Sequence, residues 1–193
     1  SLDTDAYKTE TAGQMQPFSV KTTPVISESL FVSNAGLIIL HPFLLSLFEN
    51  VGYLQGKEWV SEQFQQRAML LMQYMVTGED TVPEFDLVLN KLLTGYPLEN
   101  TLPADICLSD FERVEARDVL QAVIRHWSAL KNTSVDGLRS TFLLRDGKLS
   151  MQEDAYTLKV EQKTVDILMN RLPWSISIIK TPWIKKMIRV DWT

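Results

Sequence analysis

The chain has 193 residues, of which 45% are hydrophobic, and this is enough for one domain with a substantial core. Its formal net charge of -5 argues against a nucleic-acid partner, because phosphate groups attract basic surfaces. A single cysteine, Cys107, excludes an intrachain disulfide, and no run of about 18 apolar residues predicts a membrane span. We therefore expect neither nucleic acid nor a membrane among its partners.

Residues 1–28 have the composition of a linker. Threonine, serine, glutamine, lysine and acidic residues dominate this segment, and its apolar residues are isolated. Neither a helical nor a strand period occurs, and Pro17 and Pro24 interrupt the segment. We predict a flexible leader over residues 1–28, followed by a single globular domain over residues 29–193.

Helices are predicted for most of the first part of this domain. Leu30-Phe31-Val32 is compatible with either a strand or a helix. Pro42 fits the first turn of a helix, because proline lacks an N–H that the first turn would leave unbonded. Apolar residues recur at helical spacing from about residue 58 to residue 76, which predicts a second helix with one buried stripe.

The starts of the later helices are indicated by capping residues. Thr81 and Glu84 are spaced as a capping box for a helix that begins at Pro83. Ser109 and Glu112 form a second box, before a strongly periodic run that predicts a fourth helix. A further short helix is predicted to follow Thr133 or Ser134.

The hydrophobic period changes toward the C-terminus. Asp146-Gly147 predicts a tight turn, residues 156–160 alternate as a half-buried strand, and residues 163–172 indicate a short helix. Two further stretches alternate between apolar and polar residues and predict the two strands of a C-terminal hairpin. The side chains predicted to face the core are Trp174, Ile176 and Ile178 on the first strand and Ile188, Val190 and Trp192 on the second. The predicted fold class is α+β, a mainly helical domain with a small C-terminal antiparallel sheet.

Catalytic chemistry has little support in the sequence. His41 and His126 are the only histidines, and no zinc-binding spacing, phosphate-binding loop or nucleophile motif occurs. Cys107 stands between two apolar residues and is interpreted as a small core residue. We predict no enzyme activity, no catalytic residue, no cofactor and no metal.

Several strings along the domain resemble one known family. They are LFVSNAGL at residues 30–37 followed by LHPFL at 40–44, LVLNKLL at 87–93, HWSALKNTSVDGLR at 126–139, and residues 171–192 from RLPWS to VDW. In this order they resemble the tape measure protein of contractile injection systems, which are phage-tail-like particles of bacteria. The resemblance covers the domain from about residue 29 to the end.

The resemblance implies a structural protein that sets inner-tube length, assembles in the bacterial cytoplasm and then forms part of the particle. The implied partners are tube, spike or baseplate proteins, and the family has no catalytic residues to carry over. A compact domain is a poor ruler, so we interpret this one as a docking domain. The alternative is a helical adaptor or chaperone-like module that binds a partner protein, and the sequence leaves a homo-oligomer open.

A basic, tryptophan-containing stretch near the C-terminus is the candidate partner-binding site. Tryptophan and arginine are favoured anchors at protein interfaces, although a tryptophan here can also serve the core of the sheet. The candidate residues are Lys180, Trp183, Lys185, Lys186 and Arg189.

Overall fold

The computed structural model describes residues 29–192, so the predicted leader lies outside the described residues. The helices are α1 (His41–Asn50), α2 (Glu62–Thr77), α3 (Val88–Thr94), α4 (Asp110–His126) and α5 (Val135–Leu138). Turns of 3-10 helix cover Ala35–Leu40, Glu84–Leu87, Ser128–Leu130 and Thr164–Arg171, and a π-helical turn covers Arg139–Leu143.

The strands form one main sheet and one small hairpin. They are β1 (Ser29–Val32), β2 (Leu54–Gln55), β3 (Glu58–Trp59), β4 (Gly147–Met151), β5 (Tyr156–Val160), β6 (Ile178–Ile179) and β7 (Ile188–Asp191). β2 and β3 pair with each other, and the other strands form a five-stranded sheet in the order β1-β4-β5-β7-β6. Every neighbouring pair in this sheet is antiparallel except β5 and β7, which are parallel.

The α+β class is confirmed, but the predicted sheet is wrong in two respects. The sheet is mixed instead of antiparallel, and β1 comes from the start of the domain instead of the C-terminus. Between β5 and β7 the chain passes through Thr164–Arg171 and β6, and β7 then runs beside β5 in the same direction. Asp146-Gly147 is also not a hairpin turn, since Gly147 begins β4 and pairs with Val160.

Most helix predictions are confirmed, and two starts are not. α2 begins at Glu62, because Glu58 and Trp59 instead pair with β2 around Gly56, whose φ is +65°. The capping box of Ser109 and Glu112 forms in full at the start of α4. The box predicted from Thr81 and Glu84 does not form, because the Glu84 carboxylate instead accepts a hydrogen bond from the Leu102 backbone N–H at 3.3 Å.

The predicted C-terminal hairpin exists in shortened form. β6 comprises only two residues, and the residues from Trp174 to Ser177 lie outside any strand. Ile178, which was predicted to face inward, is exposed, whereas its neighbour Ile179 is fully buried. The inward positions of Ile188 and Trp192 are confirmed, with Trp192 only 2% exposed.

One hydrophobic core joins the helices to the inner face of the sheet. Its members come from the helices, the 3-10 turn Ala35–Leu40 and the strands, and include Ile38, Leu71, Trp127, Leu158 and Ile188. Within residues 29–192, no helix has the length and apolarity that a membrane crossing requires.

Candidate partner-binding site

Within residues 29–192, no hydrogen bond joins the side chains of His41, His126 and Cys107, which the sequence offered for catalysis. His41 makes a 2.8 Å hydrogen bond through Nε2 to the Ser175 carbonyl, and burial lowers its pKa although this hydrogen bond opposes the shift. His126 is exposed at the end of α4. Cys107 was interpreted as a core residue, and this is wrong: it is exposed in the loop before α4. Among residues 29–192, no group of three or more potential metal ligands is brought together.

The candidate basic residues lie on β7 and in the loop between β6 and β7, which we call the basic loop (residues 180–187). Lys180 follows β6, and Arg189 lies in β7 directly opposite Ile178. Lys180, Lys185 and Arg189 are exposed, while Lys186 is half-buried. The structure therefore presents cations along this segment, as the sequence predicts.

Trp183 is half-buried and makes internal contacts. Its ring centroid lies 4.6 Å from that of Trp59 and 5.6 Å from that of Phe48. Its indole N–H donates to the Lys57 carbonyl at 2.6 Å. Trp183 thus attaches the basic loop to the β2–β3 hairpin, which supports the core interpretation of this tryptophan more than a free anchor.

Two backbone contacts hold the same loop against α3. The Thr181 hydroxyl donates to the Leu93 carbonyl at 2.7 Å. Gly95, with φ +75°, follows α3 and lies against the Trp183 backbone so closely that a Cβ on Gly95 would stand 2.2 Å from the Trp183 carbonyl oxygen. The basic loop is therefore a fixed feature of the fold, and its lysines project from an anchored backbone.

The outer face of the main sheet adds charges that the sequence analysis did not single out. Lys148 on β4 and Lys159 on β5 stand directly opposite each other and are both exposed. A shallow hollow of about 590 Å³ lies beside them, with Phe31 on one side and Asp191 on the other. Carboxylates and ammonium groups mix in its lining, so this face has no single charge preference. The alternation in β4 and β5 was the available signal for these positions.

A second hollow, of about 440 Å³, has acidic side chains as its only charged lining residues among the described residues. It lies between α2 and the loop of residues 101–106, and we call it the acidic groove. Its lining is aliphatic apart from short polar side chains and two carboxylates, and comprises Leu70, Asp80, Thr81, Val82, Glu84, Leu87, Thr101, Leu102, Pro103, Ala104 and Ile106. Sequence reasoning missed this groove because its two walls are distant along the chain.

Comparison with known proteins identifies the family to which the chain belongs. The model of a family described as contractile injection system tape measure protein matches residues 3–192. The chain belongs to this family, and this makes it a structural or assembly component of a phage-tail-like injection particle. The match extends through most of residues 1–28, whereas the strings that carry the resemblance begin at residue 30. No curated protein and no solved structure matches the chain.

Proposed function

We propose that this domain docks a tape measure protein to another particle protein and thereby helps to set the length of the inner tube. The family match over residues 3–192 carries the proposal. The partners would be tube, spike or baseplate components, met in the bacterial cytoplasm during assembly. The domain would act by binding alone and would carry out no reaction.

The dimensions of the domain favour docking over measuring. A ruler needs an extended element, and α4, with 17 residues, is only about 26 Å long. α4 also packs into the single core, through side chains such as Leu120 and Val123, so it cannot extend away from the domain. Any ruler would therefore be supplied by chain outside this core.

The basic loop and Arg189 are the docking surface that we propose. Their cations stand on an anchored backbone, so the backbone itself loses little conformational freedom when a partner binds. Charges at the rim of an interface mainly steer association and select the partner, which suits recognition of an acidic surface. The role of Trp183 in this proposal is to hold the loop in place.

Charge reversal on this surface tests the docking role. We expect Lys180→Glu, Lys185→Glu and Arg189→Glu together to leave the domain folded, because all three side chains are exposed. The variant should fail to enter particles when it replaces the wild-type protein in the producing bacterium, and the tubes should be of aberrant length or absent. Electron microscopy of the particles and their immunoblots measure both results.

A matched triple variant controls for net charge. Arg117→Glu, Arg125→Glu and Lys131→Glu also reverse three exposed cations, in α4 and the segment after it. This control should assemble particles of normal length. If the docking variant also gave normal particles, or if both triples failed equally, the basic loop would not be the docking surface.

A further inference from the structure

The acidic groove has an aliphatic floor that the chain itself covers incompletely. Leu87 is buried at its base, but Leu70, Val82, Leu102 and Ile106 are only half-buried. Four aliphatic side chains around one hollow form a larger apolar surface than isolated exposed residues would. The hollow is therefore suited to apolar side chains from another molecule.

The wall formed by residues 101–106 is held in place although it contains neither helix nor strand. Both oxygens of the Glu84 carboxylate lie 3.3 Å from the Leu102 backbone nitrogen. Glu84 Oε1 also pairs with the ammonium group of Lys91 at 2.8 Å. These contacts join the wall to the turn before α3, so the groove is a preformed feature.

The groove is mainly acidic, although each of its two carboxylates has one cationic partner, Lys91 for Glu84 and Arg113 for Asp80. Its charged lining residues, Asp80 and Glu84, are both acidic. Arg113 contacts Asp80 only through Oδ1 among the hydrogen bonds of the described residues, so the second oxygen, Oδ2, can accept another donor. Segment 79–110 contains seven carboxylate side chains and only one basic residue, Lys91, whose side chain is almost fully buried.

We propose that the acidic groove binds an amphipathic, basic segment of a partner protein. Apolar side chains of the segment would fill the floor, and lysine or arginine at its polar edge would meet Asp80 and the flanking carboxylates. Helices that present residues at i, i+3, i+4 and i+7 to a groove are recognised in this way. The proposal rests on the groove alone and does not depend on the docking role of the basic loop.

A designed peptide supplies the probe. It is a fluorescent helix of about five turns with leucine on one face and lysine on the other, and its counterpart has glutamate in place of every lysine. We expect the lysine peptide to bind the full chain, measured by fluorescence anisotropy, and the glutamate peptide to bind at least about tenfold more weakly.

Variants of the groove test whether the peptide binds there. Ala104→Trp fills the hollow from an exposed position, and Asp80→Lys reverses a rim charge, so each should weaken binding about tenfold. Asp118→Lys makes the same charge change on the exposed side of α4 and should change binding less than about twofold. Circular dichroism and thermal melts verify that each variant folds. Asp80→Lys loses its pair with Arg113 and could be destabilised for that reason, whereas Ala104→Trp tests the groove without breaking this pair.

Three outcomes would overturn the proposal. The first is that the lysine peptide binds no more tightly than the glutamate peptide. The second is that the groove variants bind like the wild type, which would mean non-specific attraction to an acidic protein. The third is that the wild type self-associates in sedimentation and Ala104→Trp abolishes this, which would make a second copy the occupant.

Discussion

Glu112 links three separate elements through one carboxylate. It belongs to the capping box of α4, where its side chain accepts a hydrogen bond from the Ser109 N–H at 2.6 Å. Arg67 on α2 binds both carboxylate oxygens, at 2.8 and 2.6 Å, and the Tyr53 hydroxyl donates to Oε1. The residue is only 5% exposed. A local helix cap therefore also fixes how α4 lies against α2.

The ionisation of Glu112 should make the fold sensitive to acid. Burial opposes its charge, but the donors from Arg67, Tyr53 and Ser109 outweigh this and lower its pKa to about 2. Because this value lies below the ordinary 4.5, ionised Glu112 stabilises the fold above pH 4.5, and the contribution is lost as the pH falls toward 2. Asp166 contributes in the same direction, since its pKa is also lowered, by Arg145, against the effect of burial.

Replacement of Glu112 by glutamine tests this contribution. We expect Glu112→Gln to lose about 3 kcal/mol of unfolding free energy at pH 7, because Arg67 then lacks its charged partner. The variant should also lose less stability than the wild type between pH 4.5 and 2, in urea titrations at several pH values. Asp118→Asn removes an exposed carboxylate from the same helix and is the control. Equal pH slopes for Glu112→Gln and the wild type would contradict the assignment.

At the scale of elements, the junction of α3 with the basic loop depends on the absence of a side chain at Gly95. We expect Gly95→Ala to cost about 2 to 3 kcal/mol, because it combines a positive φ with a clash against the Trp183 carbonyl. Gly52 is a matched control: its φ is +78°, but a Cβ there would meet no atom within 4 Å. Gly52→Ala should therefore cost only about 1 kcal/mol. Equal losses in denaturant titrations would show that the close contact is unimportant.

Structural features that depend on residues close together in the sequence could be predicted, and those that depend on residues far apart in the sequence could not. The Ser109–Glu112 box lies within one turn, and its spacing identifies it. The Thr81–Glu84 box has the same spacing, yet Glu84 is drawn to Leu102 and Lys91 by the tertiary fold. Spacing alone does not distinguish these two cases.

Strand direction and sheet membership are also non-local. Alternation over residues 156–160 predicts β5 correctly, but it has the same form whether the neighbouring strand is parallel or antiparallel. β1 joins the sheet by pairing with β4, which is distant along the chain and contains a glycine that suggested a turn. For the candidate site, the sequence itself shows the cluster of basic residues near the C-terminus. The internal contacts of Trp183 and the acidic groove arise only from folding, so the sequence could not show them.

At the scale of the whole molecule, one core runs through the described residues 29–192. Its inner sheet face and helices share one set of buried side chains, from Val32 near the start to Trp192 at the end. Trp192 is held by its indole N–H, which donates to Asp166 at 3.0 Å, and by Arg145, whose guanidinium lies 5.3 Å from its ring centroid. The two ends of the described chain are thus both built into the core.

From their composition, we predict that residues 1–28 contribute nothing to the stability of this core. Limited proteolysis should remove them and stop near residue 29, and the trimmed protein should keep the melting temperature of the full chain. Mass spectrometry of the resistant fragment and paired calorimetric scans measure the two results. Tyr7 and Phe18 are the largest apolar side chains in the segment. Replacing both with serine provides a matched variant that should leave the melting temperature equally unchanged. A loss of several degrees on trimming or on this replacement would show that residues 1–28 pack against the domain.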